Sequence, residues 1–267
     1  MRTCFNVAIG FVLLAALPVA ASDTFPAKGG DIIVTPIAKS SASVQLEYAG
    51  KVIQVDPITN GDYTAAKPAD LVLITGLEGD HFDVKAIAKW RKPGAPVVIP
   101  SALWNQFPSG VVIANGEAKT VAGLTIESVA AYDLQPGLDF RLGRHENVDQ
   151  RPRGINNGYI ITLGDKRVYL SAVTECVPEV QALKDIDIAF FNVGLWNGKM
   201  NPIAAAVCVI LFKPKVVYPF HHRTGSYLEF KDALAGKYGE HYQFSVDVRL
   251  APEWMPKDMK SEPTFRR

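Results

Sequence analysis

The chain has 267 residues, of which 48% are apolar and 21% are charged. This balance is typical of a globular protein that buries a sizeable core, and it excludes a chain that is disordered over most of its length. Basic residues number 28 and acidic residues 27. A charge this close to neutral, without a basic stripe, argues against nucleic acid as a partner.

The N-terminus has the pattern of a secretion signal. Arg2 provides a positive charge, residues 7–19 form an uncharged apolar stretch, and small residues at 19–21 supply a cleavage site. The apolar stretch is too short to span a membrane comfortably. We therefore predict an exported protein, periplasmic or secreted, with a signal peptide at 1–21, a single domain at 22–267 and no stable membrane anchor after signal removal.

Two cysteines remain after the predicted signal, Cys176 and Cys208. Export permits a disulfide between them, but two cysteines do not make a disulfide scaffold. Cys208 lies in an apolar stretch with helical spacing, and we expect it to be a core residue.

The first half of the mature chain is rich in predicted strands. Alternation of apolar and polar residues followed by a turn predicts a hairpin, and continuous apolar runs are typical of strands buried on both faces. In chain order the predicted strands lie at 31–35, 44–48, 51–55, 71–75 and 96–100, and the predicted helices at 84–90 and 102–107.

The second half alternates strands with helices. Hairpins followed by such alternation favour an α/β arrangement with mixed sheets and helices outside. A long loop at 135–157 has no strong pattern, and loops of that length are usually functional or flexible. The predicted strands lie at 125–130, 159–163, 167–171, 186–192, 215–219 and 243–250, and the helices at 178–184, 202–212 and 227–238.

Polar residues follow two of the predicted buried strands. Residues 76–81, Gly-Leu-Glu-Gly-Asp-His, come after the strand at 71–75, and His221 and His222 come after the strand at 215–219. Carboxylate and imidazole groups are natural ligands of zinc, manganese or iron. Taken alone, however, each stretch is more typical of a capped or exposed loop than of a metal site.

Several further motifs occur in a fixed order along the chain. They are Val55-Asp56-Pro57, Ala69-Asp70 at the start of a buried strand, Asn115-Gly116, Gly158-Tyr159 with Gly164 and Arg167, Thr174-Glu175 with Pro178-Glu179, Asp185 to Ala189, and Lys213-Pro214-Lys215 with Pro219 and His221. Together they resemble the metallo-β-lactamase superfamily, most closely its small lactonase-like and exported hydrolases, from about Gly30 to Val248. The resemblance implies an αββα sandwich, in which two mixed sheets pack face to face with helices on both outer sides.

The chain departs from that family at the metal motif. The family has His-x-His-x-Asp-His, whereas Gly76 and Glu78 here replace the two leading histidines. Arg151 stands where a third histidine is expected, and Val173 replaces the aspartate that bridges the two metal ions. Within the resemblance, the first metal position therefore loses its usual ligands. The second position keeps Asp80, His81 and His221.

A hydrolytic zinc needs about three protein ligands and one open position. Asp80, His81 and His221 are therefore predicted to hold at most one divalent ion, with zinc favoured over manganese or iron, and a chain without metal is equally compatible with the sequence. His222, or His145 in the long loop, could add a ligand or contact a bound molecule.

The differences from the family motif also indicate roles for the charged residues near it. Glu78 and Asp80 are the candidate catalytic residues, and Glu78 would be a ligand or a general base. The guanidinium of Arg151 would repel a second dication and is predicted to pair with Glu78 or Asp80.

Two functions remain open on the sequence. The first is an exported hydrolase with impaired or single-metal hydrolysis of an ester, lactone or phosphate-containing small molecule, in which the metal polarises the substrate. The second is a non-catalytic protein that binds a small ligand in the same cleft, with Arg151 and Arg153 contacting an anionic group.

Overall fold

The computed structural model describes residues 22–38, 43–134, 151–193, 200–221, 226–239 and 244–249. The predicted signal peptide, His145 and His222 lie outside these ranges. No helix within them is long and apolar enough to cross a membrane.

The predicted strands and helices occur in the predicted order, together with three short strands, at 23–25, 111–112 and 118–121, that were not predicted from the sequence. The strands are β1 (Asp23–Phe25), β2 (Ile32–Pro36), β3 (Val44–Tyr48), β4 (Lys51–Val55), β5 (Leu71–Leu73), β6 (Val97–Ile99), β7 (Val111–Val112), β8 (Ala118–Val121), β9 (Leu124–Ala131), β10 (Asn156–Leu163), β11 (Lys166–Leu170), β12 (Ile188–Asn192), β13 (Val216–Phe220) and β14 (Asp247–Val248). The helices are α1 (Val84–Trp90), α2 (Pro178–Gln181), α3 (Pro202–Phe212) and α4 (Ser226–Leu234), with a 3₁₀ turn at Ser101–Leu103.

Within the described residues the strands form two seven-stranded sheets, one from β1 to β7 and one from β8 to β14, each in sequence order. In the first sheet β1 to β4 pair antiparallel and β4 to β7 pair parallel. The second sheet repeats this pattern, antiparallel from β8 to β11 and parallel from β11 to β14. Parallel neighbours require crossover connections, and α1 and α3 lie in two of them.

Three apolar clusters separate the layers. The central cluster joins both sheets, with Leu46 and Ile53 of the first sheet and Ile161 and Phe190 of the second. A second cluster packs α3 and α4 on the outer face of the second sheet, and a third packs α1 on the outer face of the first. The order helix, sheet, sheet, helix confirms the predicted αββα sandwich.

Several predicted elements are shorter in the structure. The helix predicted at 227–238 ends at Leu234, and Gly236 then adopts a φ of 82°, a conformation that ends helices. The strand predicted at 243–250 pairs only over Asp247–Val248, and the helix predicted at 102–107 is a 3₁₀ turn. Apolar spacing locates such elements but does not fix their ends.

Cys208 is more than a core residue, and the prediction for it is wrong in that respect. Its side chain is fully buried, but it forms a disulfide with Cys176, which lies 32 positions earlier. The bond ties the segment before α2 to α3. The apolar run around Cys208 predicted its burial correctly, whereas a partner so distant in sequence leaves no trace in local periodicity.

Candidate metal centre

Three of the predicted metal ligands meet at one edge of the sandwich. Nε2 of His81 lies 3.1 Å from Nε2 of His221, and Oδ2 of Asp80 lies 3.2 Å from the same His221 atom. Oδ1 of Asp80 is 3.9 Å from Nε2 of His81. One ligand atom from each residue lies within 4.8 Å of the others. The predicted convergence of residues 140 positions apart is therefore confirmed.

The strand ends bring these side chains together. Asp80 and His81 lie in a turn beyond β5, where the backbone N–H groups of His81 and Phe82 both donate to the carbonyl of Glu78. His221 directly follows β13 in the other sheet and has a φ of 57°. A residue with a Cβ rarely adopts that left-handed backbone conformation. Residues that do so are concentrated at functional sites.

Asp56 fixes the orientation of His81. It is fully buried at the end of β4 and accepts hydrogen bonds from the backbone N–H of Thr75 at 2.7 Å, from Oγ1 of Thr75 at 2.5 Å and from Nδ1 of His81 at 2.7 Å. Because Nδ1 donates to this carboxylate, Nε2 is the ring nitrogen that faces the other ligands. A carboxylate behind a histidine in this way orients the ring of a metal ligand.

Sequence reasoning does not assign this role to Asp56, which stands out in the sequence only as part of the Val-Asp-Pro motif. A usable signal is nevertheless present. A charged residue directly after a buried strand needs a partner inside the fold.

The charges of the three ligands are strongly coupled. Burial would raise the pKa of Asp80, but its hydrogen bond with His221 and the nearby charge of His81 outweigh burial and lower that pKa to about 2. Burial lowers the pKa of His221, and Asp80 opposes this shift only in part. Burial would also lower the pKa of His81, yet the carboxylate of Asp56 outweighs it and raises that pKa. Asp80 is therefore ionised at neutral pH, as a ligand must be.

This donor set fits one divalent ion. Two ligand atoms that are each about 2.0–2.1 Å from a tetrahedral zinc lie roughly 3.3 Å apart. The contacts that join His221 to His81 and to Asp80, at 3.1 and 3.2 Å, are close to that separation. Two imidazoles and one carboxylate suit zinc, iron or manganese. Within the described ranges, no second group of three such side chains comes together.

An ion pair fills the other half of the expected site. Nε of Arg151 donates to Oε1 of Glu78 at 2.7 Å, which confirms the predicted pairing. A Cβ placed on Gly76 would lie 2.5 Å from Oε2 of Glu78, so this carboxylate occupies the space beside Gly76. Nδ2 of Asn156 approaches both Glu78 oxygens at 3.4 Å. Val173 is buried in the apolar cluster of the second sheet and offers no ligand atom.

The same ion pair bears on the proposed catalytic role of Glu78. Burial would raise the pKa of Glu78, but the charges of His81 and Arg151 outweigh burial and lower it. A carboxylate with a lowered pKa is a weaker general base. Glu78 is therefore better placed as the partner of Arg151 than as a base, and the catalytic roles of Glu78 and Asp80 stay predictions.

Arg151→Ala should destabilise the fold. The substitution leaves Glu78, about one-third exposed, and the buried Asp133 without the nearby guanidinium. We expect a loss of about 2 kcal/mol in the free energy of unfolding, between the values for exposed and buried ion pairs. Denaturant unfolding measures this loss.

Arg153→Ala is the matched control for that measurement. Arg153 pairs with Glu179 at 2.7 Å, but its side chain is 64% exposed. We expect a loss below about 1 kcal/mol for such an exposed pair. Equal losses in the free energy of unfolding would show that the Arg151 pair stabilises the fold no more than an exposed ion pair does.

Comparison with known proteins supports the same family. The model of the beta-lactamase superfamily domain matches residues 38–221. A UPF0173 metal-dependent hydrolase from Aeropyrum pernix is 29% identical over an alignment of 218 positions, and the match covers 73% of this chain and 87% of that protein. Another, from Thermococcus onnurineus, is 32% identical over an alignment of 189 positions, and the match covers 65% of this chain and 78% of that protein.

Solved structures agree with these sequence matches. A protein from Parabacteroides distasonis, described as a metal-dependent hydrolase, is 34% identical, has a TM-score of 0.74 and covers 88% of this chain and 99% of its own. The metallo-β-lactamase fold protein YhfI from Bacillus subtilis has a TM-score of 0.60 at 14% identity, over 82% of this chain and 95% of its own, and shows the fold alone. The chain therefore belongs to the metallo-β-lactamase superfamily and has the fold of its metal-dependent hydrolases.

Proposed function

We propose that this protein is an exported hydrolase that works with a single divalent ion held by Asp80, His81 and His221. Membership of a family of metal-dependent hydrolases implies a metal cofactor and a small-molecule substrate. The number of ions, the reduced ligand set and export go further and are our proposal.

The observation that carries the proposal is the unequal state of the two halves of the site. On one side, three ligand atoms converge, and the buried Asp56 orients His81 for metal binding. On the other side, Glu78 and Arg151 form an ion pair where the relatives of this fold would need ligands. A guanidinium and a dication repel each other at short range, so the geometry supports one ion rather than two.

Each residue of the site has a separate proposed role. Asp80, His81 and His221 would hold the ion, and Asp56 would fix the tautomer of His81. A bound divalent ion supplies a Lewis acid that polarises a carbonyl or phosphoryl oxygen and lowers the pKa of water in the site. Esters, lactones and phosphate-containing small molecules are therefore the proposed substrates.

Metal analysis tests the proposal directly. Protein purified without chelator should contain one zinc, iron or manganese ion per chain, and added zinc should not raise that number to two. The same preparation should hydrolyse at least one member of a panel of esters, lactones and phosphate esters, and chelation should abolish that activity. Two ions per chain would contradict the single-ion site, and no bound metal would contradict the whole proposal.

One observation favours a second function. Glu78, the candidate general base, is held by Arg151, and without a free base the protein would bind a small molecule in the cleft without hydrolysing it. One bound ion per chain, with tight binding of a small molecule but no turnover of any panel member, is the result that would select this alternative.

Export is supported by two independent features. The first 21 residues have the pattern of a signal peptide, and the Cys176–Cys208 disulfide belongs to an oxidising compartment. N-terminal sequencing of the protein from periplasm or medium should begin near Ser22 or Asp23. A mature protein that retains Met1 would contradict export.

A further inference from the structure

Arg151 keeps hydrogen-bond donors to spare beside the metal ligands. A guanidinium carries N–H donors on three nitrogen atoms. Nε of Arg151 donates to Glu78, but its terminal nitrogen NH1 is 3.8 Å from the nearest Asp133 oxygen, which is too far for a hydrogen bond. Among the described residues, no oxygen accepts from either terminal nitrogen of this side chain. The side chain keeps 18% of its surface accessible, so it is not sealed off from solvent.

The guanidinium belongs to the same electrostatic cluster as the ligands. Nε of Arg151 contacts the carboxylate of Glu78 at 2.7 Å, and the carbonyl of Glu78 accepts a hydrogen bond from the backbone N–H of His81. The guanidinium is therefore anchored to the same turn that carries Asp80 and His81.

We infer that Arg151 binds an anionic oxygen group of the substrate beside the single ion, so that the substrate is held by one metal ion and one fixed side-chain cation. The inference rests on the proposed function and narrows its substrate to molecules that carry a phosphate or a carboxylate. Two terminal N–H groups of an arginine match two oxygens of either group.

The charges around the site set the order of binding. Four carboxylates lie among these groups: Asp56 and Asp80 contact the histidines, and Glu78 and Asp133 lie beside Arg151. This excess of negative charge opposes an anion until a divalent ion is bound. The anion therefore needs both the ion and Arg151, and metal-free protein should bind it poorly.

Inorganic phosphate and acetate are suitable probes, since they separate the two kinds of anion. We expect isothermal titration of zinc-loaded protein to show binding of at least one probe, and the probe that binds identifies the kind of anion. Arg151→Lys should weaken that binding at least tenfold while the zinc content stays at one per chain. Lysine keeps the positive charge and can still pair with Glu78, but it loses the two-nitrogen fork.

Arg153→Lys is the matched control. The sequence predicts Arg153 as a second anion contact, but in the structure this exposed side chain pairs with Glu179, so we expect its replacement to leave binding of the probe unchanged. Chelated wild-type protein should bind the same probe at least tenfold more weakly than the zinc-loaded form. Equal affinity for wild type and Arg151→Lys, or no binding of either probe to zinc-loaded protein, overturns the inference.

Zinc analysis of the same samples separates this inference from the proposed function. Zinc without probe binding overturns the inference alone. Probe binding through Arg151 in a protein that takes up no metal overturns the single-ion hydrolase and the order of binding, and leaves Arg151 as the anion contact of a binding protein.

Discussion

His81→Ala and His221→Ala should each remove stoichiometric zinc from the protein. Each substitution leaves two of the three protein ligands, and the remaining pair cannot enclose the ion. We expect zinc affinity to fall by more than about 100-fold in each variant, beyond the range for losing a residue that only orients a ligand. Competition with a chromophoric chelator measures the affinity.

Asp56→Asn tests the residue that orients His81 in the same zinc-binding experiment. Asp56 touches His81 but is not itself one of the three ligands. Replacing it should weaken zinc binding by about 10- to 100-fold, as for other residues that orient a metal-binding histidine. Asp70→Asn is the control, since Asp70 forms an ion pair with Lys92 on the surface and should leave zinc affinity unchanged. Undiminished zinc binding in His81→Ala would place the metal elsewhere.

Removing the disulfide should destabilise the fold more than removing the guanidinium of Arg151. Cys176 and Cys208 lie 32 positions apart, and in the chain-entropy model a crosslink of that span stabilises the fold by about 3–4 kcal/mol. The double variant Cys176→Ala/Cys208→Ala should therefore melt about 10 °C lower than the wild type. Alanine avoids leaving a buried hydroxyl group at position 208.

Reductant supplies the control for this prediction. It should lower the melting temperature of the wild type toward that of the double variant, and it should not change the double variant. Both measurements use chelated protein, so that zinc binding does not contribute. A wild type that is insensitive to reductant and as stable as the double variant would contradict a structural role for the disulfide.

The sequence predicted the layers and the convergence of Asp80, His81 and His221 because both depend on strand ends. Continuous apolar runs locate β5 and β13, and polar residues directly after them, such as His81 and His221, fall at the edge where ligands can meet. The resemblance to a known family then supplied the pairing between the two sheets. Local patterns alone would have left each loop as an ordinary cap.

Contacts between segments that are distant in sequence could not be predicted in this way. Asp56 reaches His81 only through the packing of β4 beside β5, and the bond between Cys176 and Cys208 depends on how α2 meets α3. No spacing rule in a single sequence encodes either contact. The pair between Glu78 and Arg151 was predictable only because the family resemblance placed both residues at one metal position.

The repeated arrangement of the two sheets has a consequence for how the protein folds. Each sheet can begin from hairpins such as β3–β4, which close over a few residues, whereas the contact between His81 and His221 closes a span of 140 positions. Closing so long a span costs conformational entropy. The contacts that offset this cost form only after both halves are folded. During refolding, zinc uptake should therefore lag behind the return of secondary structure, and its rate would report the docking of one half of the chain onto the other.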